Sequence, residues 1–266
     1  MTSILDNIYA AKRVEVRARR AIVSPMAIVV EAGRAPKPRD FIAALRARRP
    51  AIIAEIKRAS PSKGDIMPGL DPARVAREYV SGGAAAISVL TDAHFKGSLD
   101  DLRAVRAAVD VPLLRKDFIF EPYQVYEARA AGADCILLIA AMLKEGELRS
   151  LAALARELGM ATLVESHDPA EFALAEKIGS ELVGINNRDL HTFATDIAVT
   201  ERLLAGYRGD AVIVTESGID SPGDIRRLDT AGARAFLIGE SLLRGAAPGA
   251  KLVELMNAFE GAPPRK

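Results

Sequence analysis

One unit recurs eight times between Ala51 and the end of the chain. A short apolar run leads into a polar loop, then an amphipathic stretch of helical period, then a glycine-containing turn. The apolar runs are Ala51–Ile56, Ala86–Leu90, Leu113–Lys116, Cys135–Ile139, Ala161–Val164, Leu182–Asn186, Val212–Thr215 and Ala235–Ile238. Continuous apolar runs of this length, without alternation, read as strands buried on both faces of a parallel sheet. The stretches between them predict helices over 72–81, 99–108, 122–131, 145–158, 169–178, 197–205 and 221–231, with a last one over 249–259. Their punctuation agrees. Asp71-Pro72, Glu121-Pro122, Asp168-Pro169 and Ser221-Pro222 each read as an N-cap followed by a first-turn proline. Gly83, Gly132, Gly179 and Gly232 stand where a left-handed cap would turn the chain into the next strand.

Eight strands, each followed by a helix and with no hairpin signal, specify a parallel α/β sheet, and eight is the number that closes a (β/α)8 TIM barrel. An open doubly wound sheet would want a Gly-x-Gly-x-x-Gly turn after the first strand, and Ser60-Pro-Ser-Lys-Gly64 is not one. The barrel is expected over 51–260, preceded by a helical N-terminal extension over 1–50 and followed by a disordered tail over 261–266. Within the extension, Ser3-x-x-Asp6 resembles a capping box, and Ile4, Ile8 and Ala11 fall at helical spacing. Pro36-Lys-Pro-Arg39 breaks the chain, and Asp40 caps a second short helix ending near Arg49-Pro50. Such a segment covers the end of a domain or lies over a site, and the sequence leaves both open.

Composition excludes several classes of function. Thirty-six Lys and Arg against 35 Asp and Glu leave no global field for nucleic acid or an anionic membrane. No apolar run approaches the ~18 residues of a membrane span. The N-terminus lacks a basic stretch before an apolar core, so no secretory leader is expected. The single cysteine, Cys135, rules out a disulfide within the chain and suits a reduced cytoplasm; its apolar neighbours mark it as a small core residue.

In a barrel of this kind chemistry gathers at the C-terminal ends of the strands. The first strand ends with Glu55 and Lys57, two residues apart and so on one face. An ionisable pair there is costly unless it is paired or used. Strand three ends with Lys116, strand five with Glu165, strand six with Asn186, strand seven with Glu216 and Ser217. By alternation Lys116 shares a face with Leu114, and Glu165 with Leu163, which points both into the barrel. Carboxylates beside ammonium groups in a partly dry mouth are placed to work as acids and bases. A structural charge network is the weaker alternative.

A second signal follows the last two strands. Ser217-Gly218-Ile219 and Gly239-Glu240-Ser241 each lie between a strand and a helix, the usual phosphate seat of these barrels. Gly218 and Gly239 would let backbone amides approach an anion, Arg188 and Ser60 would add donors, and Glu240 is expected to offer its amide and turn its carboxylate away. His94, His167 and His191 are lone loop histidines without ligand spacing, read as surface residues, so no metal is expected. Neither a P-loop nor a dinucleotide turn is present, so no cofactor is expected.

These residues sit in motifs that resemble the indole-3-glycerol phosphate synthase family over nearly the whole length. They are Ile4-Leu-Asp-Asn-Ile8, Ala54-Glu-Ile-Lys-Arg-Ala-Ser-Pro-Ser62, Ser88-Val-Leu-Thr-Asp92 with Phe95-Lys-Gly-Ser98, and Leu113-Leu-Arg-Lys-Asp-Phe-Ile119. The series continues with Val164-Glu165, Gly184-Ile-Asn-Asn-Arg-Asp-Leu190, Glu216-Ser-Gly-Ile219 and Phe236-Leu-Ile-Gly-Glu-Ser-Leu242. The resemblance implies ring closure of 1-(2-carboxyphenylamino)-1-deoxyribulose 5-phosphate with loss of CO2 and water, without metal or cofactor. It implies Lys116 as general acid on the substrate carbonyl, Glu165 and Lys57 in the proton transfers of dehydration, and Glu55 orienting both lysines or acting as a base itself. Asn186 would hold polar groups of the substrate, with Glu216 and Ser217 at the mouth. Arg188, Gly218, Gly239, Glu240 and Ser60 would hold the phosphate, and Leu90, Phe95 and Phe118 would form an apolar slot for the aromatic ring. It implies a cytoplasmic monomer, with at most weak association with other enzymes of tryptophan biosynthesis. Another phosphosugar barrel, such as phosphoribosylanthranilate isomerase, is the alternative; its chemistry wants a Cys and an Asp at strand ends, whereas Cys135 opens its strand.

Overall fold

A computed structural model of the chain describes residues 4–60, 64–67, 69–189, 192–244 and 247–260. Three helices come first: α1 (Ile4–Ile22), α2 (Pro25–Arg34) and α3 (Phe41–Arg46). The barrel strands are β1 (Ala51–Ile56), β2 (Ala86–Leu90), β3 (Leu113–Lys116), β4 (Cys135–Ile139), β5 (Ala161–Ser166), β6 (Leu182–Asn186), β7 (Val212–Glu216) and β8 (Ala235–Ile238). Each pairs in parallel with its sequence neighbours, and β8 returns to β1, where Ala51 lies beside Ala235. The expected barrel is present, and β5 and β7 run one or two residues further than their apolar runs, carrying Glu165 and Glu216 inside the strands.

The helices between strands are α4 (Pro72–Ser81), α5 (Leu99–Ala108), α6 (Pro122–Ala130), α7 (Glu145–Glu157), α8 (Pro169–Lys177), α9 (Ala198–Leu204) and α10 (Pro222–Ala231). A single-turn helix, α11 (Glu240–Leu243), starts directly after β8, and α12 (Pro248–Met256) closes the ring. Asp71, Asp168 and Ser221 accept backbone amides as N-caps. Glu121 departs from that reading: at α6 the amide of Glu121 donates instead to the side chain of Gln124 at 3.3 Å. Gly83, Gly132, Gly179 and Gly232 all take positive φ, as a C-terminal left-handed cap requires.

Two layers of core follow from the strand period of two. Outward residues such as Ile52, Ile87, Ile136 and Val183 pack under the helices. Inward residues Ile53, Leu114, Leu137, Leu163, Val214 and Leu237 fill the barrel, and Cys135 is buried among them. Phe41 and Leu45 of α3 join this inner cluster beside Ala51 and Ala85, so the short helix plugs the N-terminal end of the barrel. Asp40 caps it as expected, accepting from Ala43 at 2.8 Å, although the helix ends at Arg46 rather than near Arg49.

The break between α1 and α2 is absent from the sequence reading. Ser24 accepts from Ala27 at 3.2 Å, and Pro25 opens α2. The Ser3 capping box lies outside the described residues. The polar stretch after β1 is not a plain loop: Ala59–Ser60 pairs antiparallel with Gly64–Asp65, and residues 61–63 lie outside the described residues.

Candidate active site

Strand alternation splits the charged end of β3. Lys116 points into the barrel mouth, while Arg115 and Asp117 point out toward the helices. Lys116 Nζ lies 3.0 Å from Glu165 Oε2 and 3.0 Å from Glu216 Oε2, so one ammonium is shared by two carboxylates from β5 and β7. Lys57 Nζ pairs with Glu55 Oε1 at 2.7 Å. Asn186 on β6 donates to Glu165 Oε1 at 3.3 Å, and the Ser217 hydroxyl donates to Asn186 Oδ1 at 2.9 Å. All seven residues line one cavity of about 640 Å³ at the C-terminal mouth. The rim expected from the sequence is therefore a single site.

Two glycines make room for the carboxylates. A Cβ at Gly239 would stand 2.2 Å from Glu55 Oε1 and 3.0 Å from Glu55 Cβ; one at Gly184 would stand 2.6 Å from Glu216 Oε1. The first clash reaches the root of the Glu55 side chain and cannot be relieved by rotating its tip. Gly239→Ala is therefore expected to displace Glu55 and, through it, Lys57. A fall in kcat of about tenfold or more is expected in steady-state kinetics, with a thermal midpoint lowered by a few degrees as for overpacking of about 1–3 kcal/mol. Unchanged kcat would show that Glu55 relaxes freely.

The electrostatics separate the two carboxylates. Burial works against charge on Lys116, but Glu165, Glu216 and Glu55 outweigh it and hold the ammonium well above its ordinary range. Burial also pushes Glu165 up, yet Lys116 and His167 together bring it well below the usual carboxylate range. Glu216 goes the other way, up to about 7, through burial against the pull of Lys116 and with the charges of Glu165 and Glu55 against it. Its Oε1 is buried without a hydrogen-bond partner among the described residues.

His167 corrects the sequence reading. Its side chain is 12% exposed, not a surface group; Nε2 lies 3.2 Å from Glu165 Oε1 and Nδ1 3.0 Å from Glu171 Oε2. Burial opposes its charge, but the two carboxylates raise the imidazolium to about 10. His94 is exposed, on the single 3-10 turn Ala93–Phe95, and its Nδ1 meets Asp92 at 3.0 Å; His191 lies outside the described residues. Among the described residues no cluster of three or more His, Cys, Asp or Glu could hold a metal.

The same cavity carries the anion features. Gly218, Gly239, Arg188 and Glu240 line it, with Arg244 beside them. Ser217 and Gly218 take φ of 68° and 78°. Asn187 fixes that turn, donating to Ser217 O at 3.1 Å and to Thr215 at 3.0 Å while accepting from Thr200 at 2.8 Å. The Glu240 carboxylate does not turn away as expected: it bridges Arg188 Nη2 at 3.3 Å and Arg244 Nη2 at 2.6 Å. Asp220 also lines the cavity, 3.8 Å from Arg244 Nη1, so two guanidiniums face two carboxylates and an incoming anion must compete with Glu240 for Arg188. The Ser60 side chain lies outside the described residues.

Leu90, Phe95 and Phe118 form an apolar wall; the two rings stack with centroids 6.4 Å apart. Leu5 and Ile8 of α1 complete it. What holds α1 there was invisible in the sequence. Lys12, one turn beyond Ile8, is fully buried and ion-paired to Asp92 at 2.6 Å, Asp117 at 2.8 Å and Glu15 at 2.8 Å. Asp117 is held in turn by Arg115 at 2.8 Å and by the Thr91 hydroxyl at 2.7 Å.

Comparison with known proteins adds to this geometry. The family model described as Indole-3-glycerol phosphate synthase matches residues 5–255. The indole-3-glycerol phosphate synthase of Polaromonas sp. (strain JS666) is 49% identical over 261 residues, covering 96% of this chain and 98% of that protein. That of Azoarcus sp. (strain BH72) is 50% identical, covering 95% and 98%. Among solved structures, 3-hexulose-6-phosphate synthase from Salmonella typhimurium superposes with a TM-score of 0.64 at 14% identity, over 80% of this chain and 100% of that one, a likeness of fold alone.

Proposed function

The chain belongs to the indole-3-glycerol phosphate synthase family, and from that premise we propose how its side chains divide the reaction. The enzyme is a carboxy-lyase of tryptophan biosynthesis. It closes the indole ring of 1-(2-carboxyphenylamino)-1-deoxyribulose 5-phosphate with loss of CO2 and water. Ring closure needs a proton donor on the substrate carbonyl oxygen as the aromatic carbon attacks. Lys116 is the donor: its acidic neighbours, Glu165 foremost, keep it charged until a developing alkoxide competes for its proton. Loss of CO2 then restores the aromatic ring. Dehydration needs an acid on the departing hydroxyl and a base on one C–H. Lys57, steadied by Glu55, is the acid and Glu165 the base.

Asn186 and Ser217 orient polar groups of the substrate, and Glu216 holds Lys116 from the side opposite Glu165. The phosphate sits against the Gly218 and Gly239 backbone, with Arg188 as its guanidinium and the Glu240–Arg244 pair at its edge. Ser60 stays a proposed donor to the same anion. The aromatic ring lies between Leu90, Phe95 and Phe118, under Leu5 and Ile8. The observation that carries this reading is the convergence of the Lys116–Glu165–Glu216 cluster and the Arg188 seat on one cavity. An isomerase reading, which wants a thiol at the mouth, finds Cys135 sealed among the inner core residues instead. A cytoplasmic monomer with at most weak association with pathway enzymes is the proposed setting. No helix among the described residues is long and apolar enough to cross a membrane.

The test follows indole fluorescence as purified protein meets the carboxyphenylamino substrate. Glu165→Gln keeps the shape and removes the base; turnover is expected to fall by about 10²-fold or more with KM nearly unchanged. Near-normal turnover would remove Glu165 from the chemistry.

A further inference from the structure

Two carboxylates share one ammonium at equal distance. Lys116 Nζ is 3.0 Å from Glu165 and 3.0 Å from Glu216, and by that contact alone the two are interchangeable. Only one of them can serve as the base, because a second full charge in the same partly dry mouth would be uncompensated. Something else must break the tie.

The second oxygens differ. Glu216 Oε1 is buried without a hydrogen-bond partner among the described residues, a setting in which a neutral carboxyl costs less than a carboxylate. Glu165 Oε1 accepts from Asn186 Nδ2 at 3.3 Å, and His167 Nε2 lies 3.2 Å from it, at ion-pair distance but outside hydrogen-bond geometry. The amide is neutral; the imidazole is the one group of the pair able to bring charge. His167 is fixed from behind by Glu171, whose Oε2 takes Nδ1 at 3.0 Å and the backbone amide of His167 at 2.8 Å. Glu171 is itself set at the first turn of α8, its amide capped by Asp168 at 2.8 Å. His167 is absent from the cavity lining, so it acts behind Glu165 and not on substrate.

We propose that His167, held by Glu171, is the positioning residue that selects Glu165 over Glu216 as the ionised carboxylate of the pair, and thereby assigns the base. The inference rests on the reading of Glu165 as base. The groups that set the charge of Glu165 are Lys116 from β3, Glu216 from β7, Asn186 from β6 and His167 beyond β5, with Glu171 from α8 behind the imidazole. The upward displacement of Glu216 and the downward one of Glu165 agree with it.

The experiment compares kcat/KM against pH for wild type, His167→Gln and Glu171→Gln on the same substrate, so that ionisation of the substrate phosphate cancels. Loss of a cation near a carboxylate moves its titration by about 1–3 pH units. His167→Gln, which retains a hydrogen-bond donor but no charge, is expected to lose activity on the acid side at least ~1 pH unit earlier than wild type, with activity partly recovered as pH rises. Glu171→Gln, which leaves the imidazole in place but loosens it, is expected to shift in the same direction by less. A merely structural His167 would lower activity by one factor at all pH values, and an unshifted acid limb in a folded His167→Gln overturns the inference. Should His167→Gln not fold, an unshifted limb in Glu171→Gln overturns it. Loss of turnover in Glu165→Gln tests the base separately. If that variant is inactive while the histidine variant keeps the wild-type limb, the selector fails and the base stands.

Discussion

Lys116→Met is expected to abolish detectable ring closure, a loss of about 10²–10⁴-fold in kcat, while the protein still folds and still binds inorganic phosphate. Met keeps the stem that packs against the barrel and removes only the ammonium. The loss should fall on kcat with little change in KM, because the proton is donated in the transition state and not to bound substrate. Stability supplies a second readout with a definite sign. Without the ammonium, Glu216 loses the charge that opposes its burial and Glu165 keeps only His167, so both carboxyls titrate higher than in wild type. A carboxyl whose folded titration is raised costs stability above that point and costs none below its unfolded value. The deficit of Lys116→Met against wild type should therefore be largest near pH 8 and shrink toward pH 4–5 in urea titrations, reaching about 3–5 kcal/mol at the alkaline end. A deficit that grew on acidification, or near-normal turnover, would contradict the shared-ammonium arrangement.

Lys12→Met carries the second large effect, on a residue that does not itself line the cavity. The side chain is fully buried and neutralises Asp92 and Asp117 from a helix that precedes the barrel. Removing it leaves two buried carboxylates on the β2 and β3 ends with only Arg115 and His94 nearby. The expected cost is about 3–5 kcal/mol, since breaking one partner of a buried cluster costs more than the cluster contributes. Part of that cost is avoided by letting α1 lift away, which takes Leu5 and Ile8 out of the cavity wall. KM for the carboxyphenylamino substrate is then expected to rise several-fold, whereas inorganic phosphate, which does not use the apolar wall, should bind as before. Amide hydrogen exchange across α1 would report the lifting directly. Wild-type KM together with unprotected α1 amides would show that the helix contributes nothing to substrate binding.

The barrel itself was legible because its strands are short apolar runs, and four of the eight follow a left-handed glycine at Gly83, Gly132, Gly179 or Gly232. Once the strands are known, fold and alternation place Lys116, Glu165 and Asn186 at one mouth without further information. The break at Ser24-Pro25 was equally present, in the same Ser-Pro form that marks α10 at Ser221-Pro222, and was overlooked. Lys12 was not legible. Among so many arginines in α1 it reads as part of a solvated face, and its partners Asp92 and Asp117 are brought to it only by closure of the barrel. His167 was misplaced for a related reason. A single histidine after a strand has no periodic partner, and only the i, i+4 step to Glu171 on the first turn of α8 hinted that it was held. The Glu240 carboxylate was expected to avoid the anion seat; Arg244, one turn further along the chain, is what lets it stay.

Gly184 and Gly239 sit under two of the working carboxylates, with no volume left for a methyl group at the expense of Glu216 or Glu55. Sequence change at these places is therefore ordered in time. A side chain can enter at position 184 in the sixth strand, or at position 239 just after the eighth, only after the acid opposite has been shortened or moved. A lineage that takes the steps in the other order passes through a crowded, inactive ancestor. Divergence of this barrel toward other substrates is steered by that sequence of steps as much as by the chemistry of the acids themselves.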